Sequence, residues 1–178
     1  MTSDPRHTTT GHSVSHSDLE KRLLEREAAR LFMRRYEQDF GEPMRHIWHN
    51  EPSKPDISCY FQSKPLDLEI AHLYATSEEA KHVHDRDNTD VLWHYLAELV
   101  TVDPCDRLKA ALLRLLHSKA QKHYDSARVW LVIRNVSPLW ARSDLLNIAM
   151  EFDETEHPFE QIWLLPDFEG EQPLIQIA

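Results

Sequence analysis

The chain has 178 residues, 41 % apolar and 28 % charged, a balance that suits one globular domain and excludes a fibrous or wholly disordered chain. No run approaches the roughly 18 apolar residues of a membrane span, and the N-terminus lacks the apolar centre of a signal peptide, so a cytoplasmic protein without membrane attachment is expected. The net charge of −10 sits mainly in residues 143–178, with nine Asp or Glu and no Lys or Arg, so the near-balanced remainder does not exclude a nucleic-acid partner.

Residues 1–16 are polar and are expected to form a disordered tail, with a single domain over 17–178. Ser17 and Glu20 fit a capping box, which predicts a helix to about Phe40, where Gly41-Glu42-Pro43 ends it. Leu24, Ala28, Leu31, Phe32 and Tyr36 form its apolar arc, and Glu25 projects within that arc. Glu25 is then either an acid placed over a site or the partner of an arginine such as Arg114.

Three strands follow, at 44–49, 57–62 and 66–73, with a hairpin turn expected at Ser63-Lys64-Pro65. Side chains alternate along a strand, so Asp67 and Glu69 share one face while Leu66, Leu68 and Ile70 share the other. Asp56 opens the neighbouring strand after Pro55, where a proline harms the ladder least, and would lie near Glu69 across the hairpin. Acids on an amphipathic strand commonly face water. Here the sequence EIAHLY from Glu69 onward is apolar, which favours burial and so a partner or a metal. Converging carboxylates suit a hard cation such as Mg2+ or Mn2+, which lowers the pKa of bound water and offsets charge on a phosphoryl oxygen.

Residues 77–99 read as helical, interrupted by the polar stretch 82–87. Asp103 fits an N-cap with Pro104 at the first helical position, and this helix is expected to reach about Tyr124. At about 100° per residue, Leu108, Leu112 and Leu115 form one stripe with Lys119 in its middle, and Lys122 lies about 60° to the side. A lysine in line with core leucines either snorkels at the helix end or reaches a carboxylate. The run VWLVI at 129–133 predicts a central strand covered on both faces, before a helix at 143–150 and strands at 161–165 and 174–177. The order predicts an α/β protein with a central mixed sheet flanked by helices.

These residues together resemble the PD-(D/E)XK nuclease superfamily, whose fold is the restriction-endonuclease-like three-layer α/β architecture. Pro55-Asp56 matches the opening pair, and Glu69-Ile70-Ala71 stands at the acid-X-Lys tripeptide. Ala71 occupies the place of the family lysine. Many members move that lysine to the following helix, and Lys119 fits this migrated position. Asp67-Leu68-Glu69 also reads as an acid-X-acid variant. The resemblance implies Asp56, Glu69 and Lys119 as catalytic residues with Glu25 as a further acid, and Asp56, Glu69 and Asp67 as ligands of Mg2+ or Mn2+. It implies a nucleic-acid substrate, DNA favoured over RNA. A basic strip too weak for tight duplex binding on its own suggests help from a protein partner or a second copy of the chain. The departure at Ala71 keeps open a catalytically inactive relative that serves as an interaction or regulatory protein, of a phage- or defence-associated kind.

Other signals are weaker. His82, His84, Asp85 and Asp87 could bind a transition metal but match no zinc spacing. His72, on the opposite strand face from Glu69, is expected to be a satisfied sheet histidine. The five tryptophans (Trp48, Trp93, Trp130, Trp140, Trp163) are expected in the core or at its rim. Cys59 and Cys105 have no metal-ligand spacing, and with three glycines there is no phosphate-cradling loop.

Overall fold

The computed structural model describes residues 16–50, 54–75, 102–151 and 156–178. The elements among them are α1 (His16–Phe40), β1 (Met44–His49), β2 (Ile57–Phe61), β3 (Lys64–Leu73), α2 (Pro104–Ala120), β4 (Val129–Asn135), α3 (Arg142–Met150), β5 (Gln161–Leu165) and β6 (Ile175–Gln176). The strands form one six-stranded sheet in sequence order. β1, β2 and β3 run antiparallel, β3, β4 and β5 run parallel, and β6 returns antiparallel to β5. The protein is therefore α/β with a mixed sheet. The helical pattern at 77–99, the histidine loop at 82–87, Trp93 and the tail at 1–15 lie outside the described residues.

Helices cover both faces of the sheet. α1 buries Ala28, Ala29, Phe32 and Tyr36 against Ile57, Cys59, Leu66, Leu68, Ile70, Trp130 and Trp163. Ring contacts hold this layer, with Tyr36 and Trp163 centroids 5.4 Å apart and Phe32 and Trp163 at 6.2 Å. On the opposite face α2 and α3 bury Leu108, Leu112, Leu116 and Leu145 against Ala71, Leu73, Leu131, Ile133, Ile162 and Leu164. β4 is buried along its whole length, which is why its first five residues, Val129 to Ile133, are continuously apolar and not alternating. No helix among the described residues is long and apolar enough to cross a membrane.

Two local expectations are corrected. The hairpin turn is Gln62-Ser63, not Ser63-Lys64-Pro65: both turn residues have positive φ, 51° and 63°, and Phe61 pairs directly with Lys64. Two successive left-handed residues make the tight turn whose twist matches the strands it joins. Pro65 then pairs with Tyr60, at a position where the ladder asks its nitrogen for no bond to β2, and β4 pairs with β3 only from Asp67 onward. The second correction is to α2, which ends at Ala120 and not near Tyr124. The chain turns back there, and Lys119 O at the helix end accepts from both the Tyr124 hydroxyl at 3.0 Å and Lys122 N at 3.3 Å.

Strand length positions the site. β2 pairs with β3 only up to Leu68, whereas β4 accompanies β3 through Leu73. From Ile70 to His72 the β2 side of β3 is thus an open edge among the described strands. α1 arrives at this edge from one face and α2 from the other.

Candidate active site at the open edge of β3

The β2–β3 register, Ile57 opposite Leu68, places Asp56 opposite Glu69 and would place Pro55 opposite Ile70. Proline has no N–H to offer, so the next rung of the ladder cannot form normally. Side chains replace it. Ile70 N donates to Asp56 Oδ2 at 2.9 Å, and Lys119 Nζ donates to Ile70 O at 3.0 Å. Asn50 holds Pro55 and Asp56 in place: its Nδ2 donates to Pro55 O at 2.7 Å and its backbone nitrogen to Asp56 O at 3.2 Å.

Glu69 faces α2 and is only 2 % exposed. Lys119 Nζ lies 2.6 Å from Glu69 Oε1, and Lys122 Nζ reaches the same oxygen at 3.2 Å. The two lysines differ in setting, since the Lys119 side chain is 18 % exposed and that of Lys122 is 53 % exposed. Both lysines therefore address one carboxylate, Lys119 more closely. Glu25 approaches from α1, 7 % exposed, and its carboxylate pairs with Lys21 at 3.5 Å, not with Arg114.

Burial raises the pKa of two of these acids, Asp56 and Glu25. It pushes the Asp56 carboxyl above its ordinary range, and the neighbouring charge of Glu69 pushes it further, against the Ile70 N–H, Lys119 and Lys21. Glu25 is raised likewise, first by burial and then by the charge of Asp56, against the pull of Lys21 and Lys119. Three acids thus crowd one buried edge, with three lysines around them.

A cavity of about 330 Å³ opens here between Glu25 and Lys21 of α1, Lys119 and Leu115 of α2, and Ile70, Ala71 and His72 of β3. His72 departs from expectation. Its Nε2 is buried with no hydrogen-bond partner, and burial, then Arg134 and Lys119, lower its pKa to about 4. Ala71 stands in its wall. Tyr124 was not singled out from the sequence beyond marking a helix end, yet burial and the charge of Glu69 raise its phenol pKa. Only its position after the lysine-bearing helix could have signalled it.

Asp67 shares a face with Glu69 but has other company. The Ser58 hydroxyl donates to Asp67 Oδ1, and Asp67 lines a separate cavity of about 520 Å³ with Lys54, His123, Tyr124 and Arg128. The thiols offer no alternative chemistry at this edge: Cys59 is buried with its pKa pushed up to about 12, and Cys105 lies at the start of α2.

Among the described residues no group of three or more His, Cys, Asp or Glu is clustered so as to enclose a metal ion by itself. A smaller donor set is present. Asp56 uses Oδ2 for Ile70 and keeps Oδ1, and both lysines address Oε1 of Glu69. Two carboxylates at one buried edge fit a hard cation that completes its shell with water, as Mg2+ does. Comparison with family models, with curated proteins and with solved structures returned no match.

Proposed function

We propose that this chain is a metal-dependent nuclease of restriction-endonuclease-like architecture that hydrolyses phosphodiester bonds in DNA. The observation that carries the reading is the 2.6 Å contact between Lys119 Nζ and Glu69 Oε1, made at the same strand edge that holds Asp56. Asp56 and Glu69 would hold Mg2+ or Mn2+, which when bound supplies a water of lowered pKa and offsets charge on the phosphoryl oxygens. An ammonium has three N–H donors, and Glu69 and Ile70 O engage two of the three on Lys119. The third remains for a phosphoryl oxygen or the attacking water, where preorganised positive charge favours the transition state. Glu25, its carboxyl raised by burial, stands across the cavity and can hold a proton or share the cation. Asp67, bonded to Ser58, is a support to the strand more than a ligand.

A second reading has its own support. Two ammonium groups already address Glu69 Oε1, so this buried charge is balanced without a cation. That favours a non-catalytic interaction protein on the same fold. Incubation of plasmid, linear DNA and RNA with Mg2+ or Mn2+ separates the two. The nuclease reading expects cleavage that Asp56→Ala and Glu69→Ala each reduce by more than about 100-fold, a typical effect of removing a transition-state stabiliser. Intact substrates with both ions support the second reading.

A further inference from the structure

Glu69 is almost fully buried, and the two ammonium groups that balance it are held very differently. Lys119 sits inside α2 and is fixed at two points, 2.6 Å from Glu69 Oε1 and 3.0 Å from Ile70 O. Lys122 lies beyond the last residue of that helix. Among the described residues its Nζ makes one hydrogen bond, to the same Oε1 at 3.2 Å. Its side chain is 53 % exposed, against 18 % for Lys119. An ion pair this open to water is weak, because solvent screens it and a long side chain loses freedom in making it. Glu69 can therefore lose Lys122 at small cost, whereas losing Lys119 also gives up the bond to Ile70 O.

The charges at this edge supply a reason for the exchange. With both acids ionised, Asp56 and Glu69 bring two negative charges, and Lys119 and Lys122 already bring two positive ones. A divalent cation held by the same carboxylates leaves positive charge in surplus beside Lys122. We propose that Lys122 is a displaceable counterion and a phosphate-binding residue. It leaves Glu69 when a divalent cation is bound there and turns its ammonium to a phosphoryl oxygen of the DNA backbone. The proposal rests on the nuclease reading for both cation and substrate. A lysine ammonium suits this exchange, being a point charge on a flexible stem with three rotatable donors. Before the cation arrives, the second ammonium on Oε1 keeps a buried carboxylate balanced. Lys122 and the cation compete for Glu69, so each weakens the other's hold by the same factor. Deleting the lysine then has opposite effects on two ligands: the cation binds more tightly and DNA more weakly. A lysine that only supports the fold produces no such pair of changes.

The test measures Mn2+ uptake from the electron paramagnetic resonance signal of the free ion. DNA binding is then read from the anisotropy of a labelled duplex in Ca2+, with gels of the same samples showing that the duplex stays intact. Parent, Lys122→Met and Lys122→Arg are compared. Lys109→Met, which removes a lysine of the same helix that pairs with Glu151, controls for the loss of a surface charge. Lys122→Met should bind Mn2+ about 2–5-fold more tightly than the parent. It should bind DNA roughly tenfold more weakly, with a log K against log salt slope shallower by about one. Lys122→Arg should restore the DNA affinity, and thermal melting near the parent's should show that both variants are folded. Mn2+ affinity unchanged or weaker in Lys122→Met, DNA affinity equal to the parent's, or the same changes in Lys109→Met overturns the proposal. A parent that takes up no Mn2+ or binds no duplex overturns it as well. If the parent cuts DNA with Mg2+ while Lys122→Met keeps both affinities, the exchange alone is overturned. The expected changes in a protein that leaves DNA intact with Mg2+ and Mn2+ support the exchange while sinking the nuclease reading.

Discussion

The carboxylate of Asp56 accepts a hydrogen bond from Ile70 N at 2.9 Å, filling a rung that Pro55 would occupy if the β2–β3 register continued. One side chain thereby closes the sheet edge and carries a charge into it. These two duties respond differently to substitution.

Burial and the charge of Glu69 raise the folded pKa of Asp56 above 3.8, so its contribution to stability is present below that value and lost as pH rises through the folded pKa. Asp56→Asn keeps an acceptor for Ile70 N and removes the charge. It is expected to be more stable than the parent at pH 8 in EDTA, with the gain fading toward pH 4. Asp56→Ala instead strands the Ile70 N–H and should cost about 1–3 kcal/mol. Urea denaturation at the two pH values checks both.

The two lysines on Glu69 should separate energetically. Lys119→Met removes a partner from an almost fully buried carboxylate and is expected to cost about 3–5 kcal/mol, reduced to the extent that Lys122 compensates. Lys122 is half exposed, and Lys122→Met should cost less than about 1 kcal/mol. A double-mutant cycle with Glu69→Gln measures each coupling, and equal values for the two lysines would contradict the assignment.

Much of this edge was legible in the residues. Alternation along β3 put Asp67 and Glu69 on one face, and the helical stripe of α2 put Lys119 in line with Leu108 and Leu112, both buried as that stripe implies. Less visible were features that belong to pairs of elements. Where β2 stops beside β3 depends on both strands, so nothing in the sequence of β3 announces that His72 borders an open edge. The Gln62-Ser63 turn carries no glycine or asparagine to mark its left-handed backbone. Tyr124 and Lys122 enter the site only because the chain reverses after Ala120, and a continuous helical pattern hides that reversal.

His72 gives an acid-sensitivity prediction of opposite sign to that of Asp56. Its pKa falls from 6.5 to about 4 on folding, so the stability linked to its neutral form is present above 6.5 and lost as pH falls through about 4. His72→Gln removes the titration. Its stability should decline less than the parent's between pH 6.5 and 4, as followed by thermal melting at several pH values.

Tyr124→Phe deletes one hydroxyl, the donor to Lys119 O at the end of α2. The expected loss is about 1 kcal/mol, seen as a drop of about 2–4 °C in melting temperature for a chain of this size. A larger loss of DNA cleavage than of stability would place the phenol in the chemistry of Glu69 as well as in the helix end.

The most direct test of the central claim is a Mn2+ titration followed by the electron paramagnetic resonance signal of the free ion, comparing the parent with Asp56→Ala. One Mn2+ should be withdrawn from solution per chain, Mg2+ should compete it off, and Asp56→Ala should abolish the uptake. Uptake that is absent in the parent, or unchanged in Asp56→Ala, would contradict a cation site at the edge where Asp56, Glu69 and Lys119 meet.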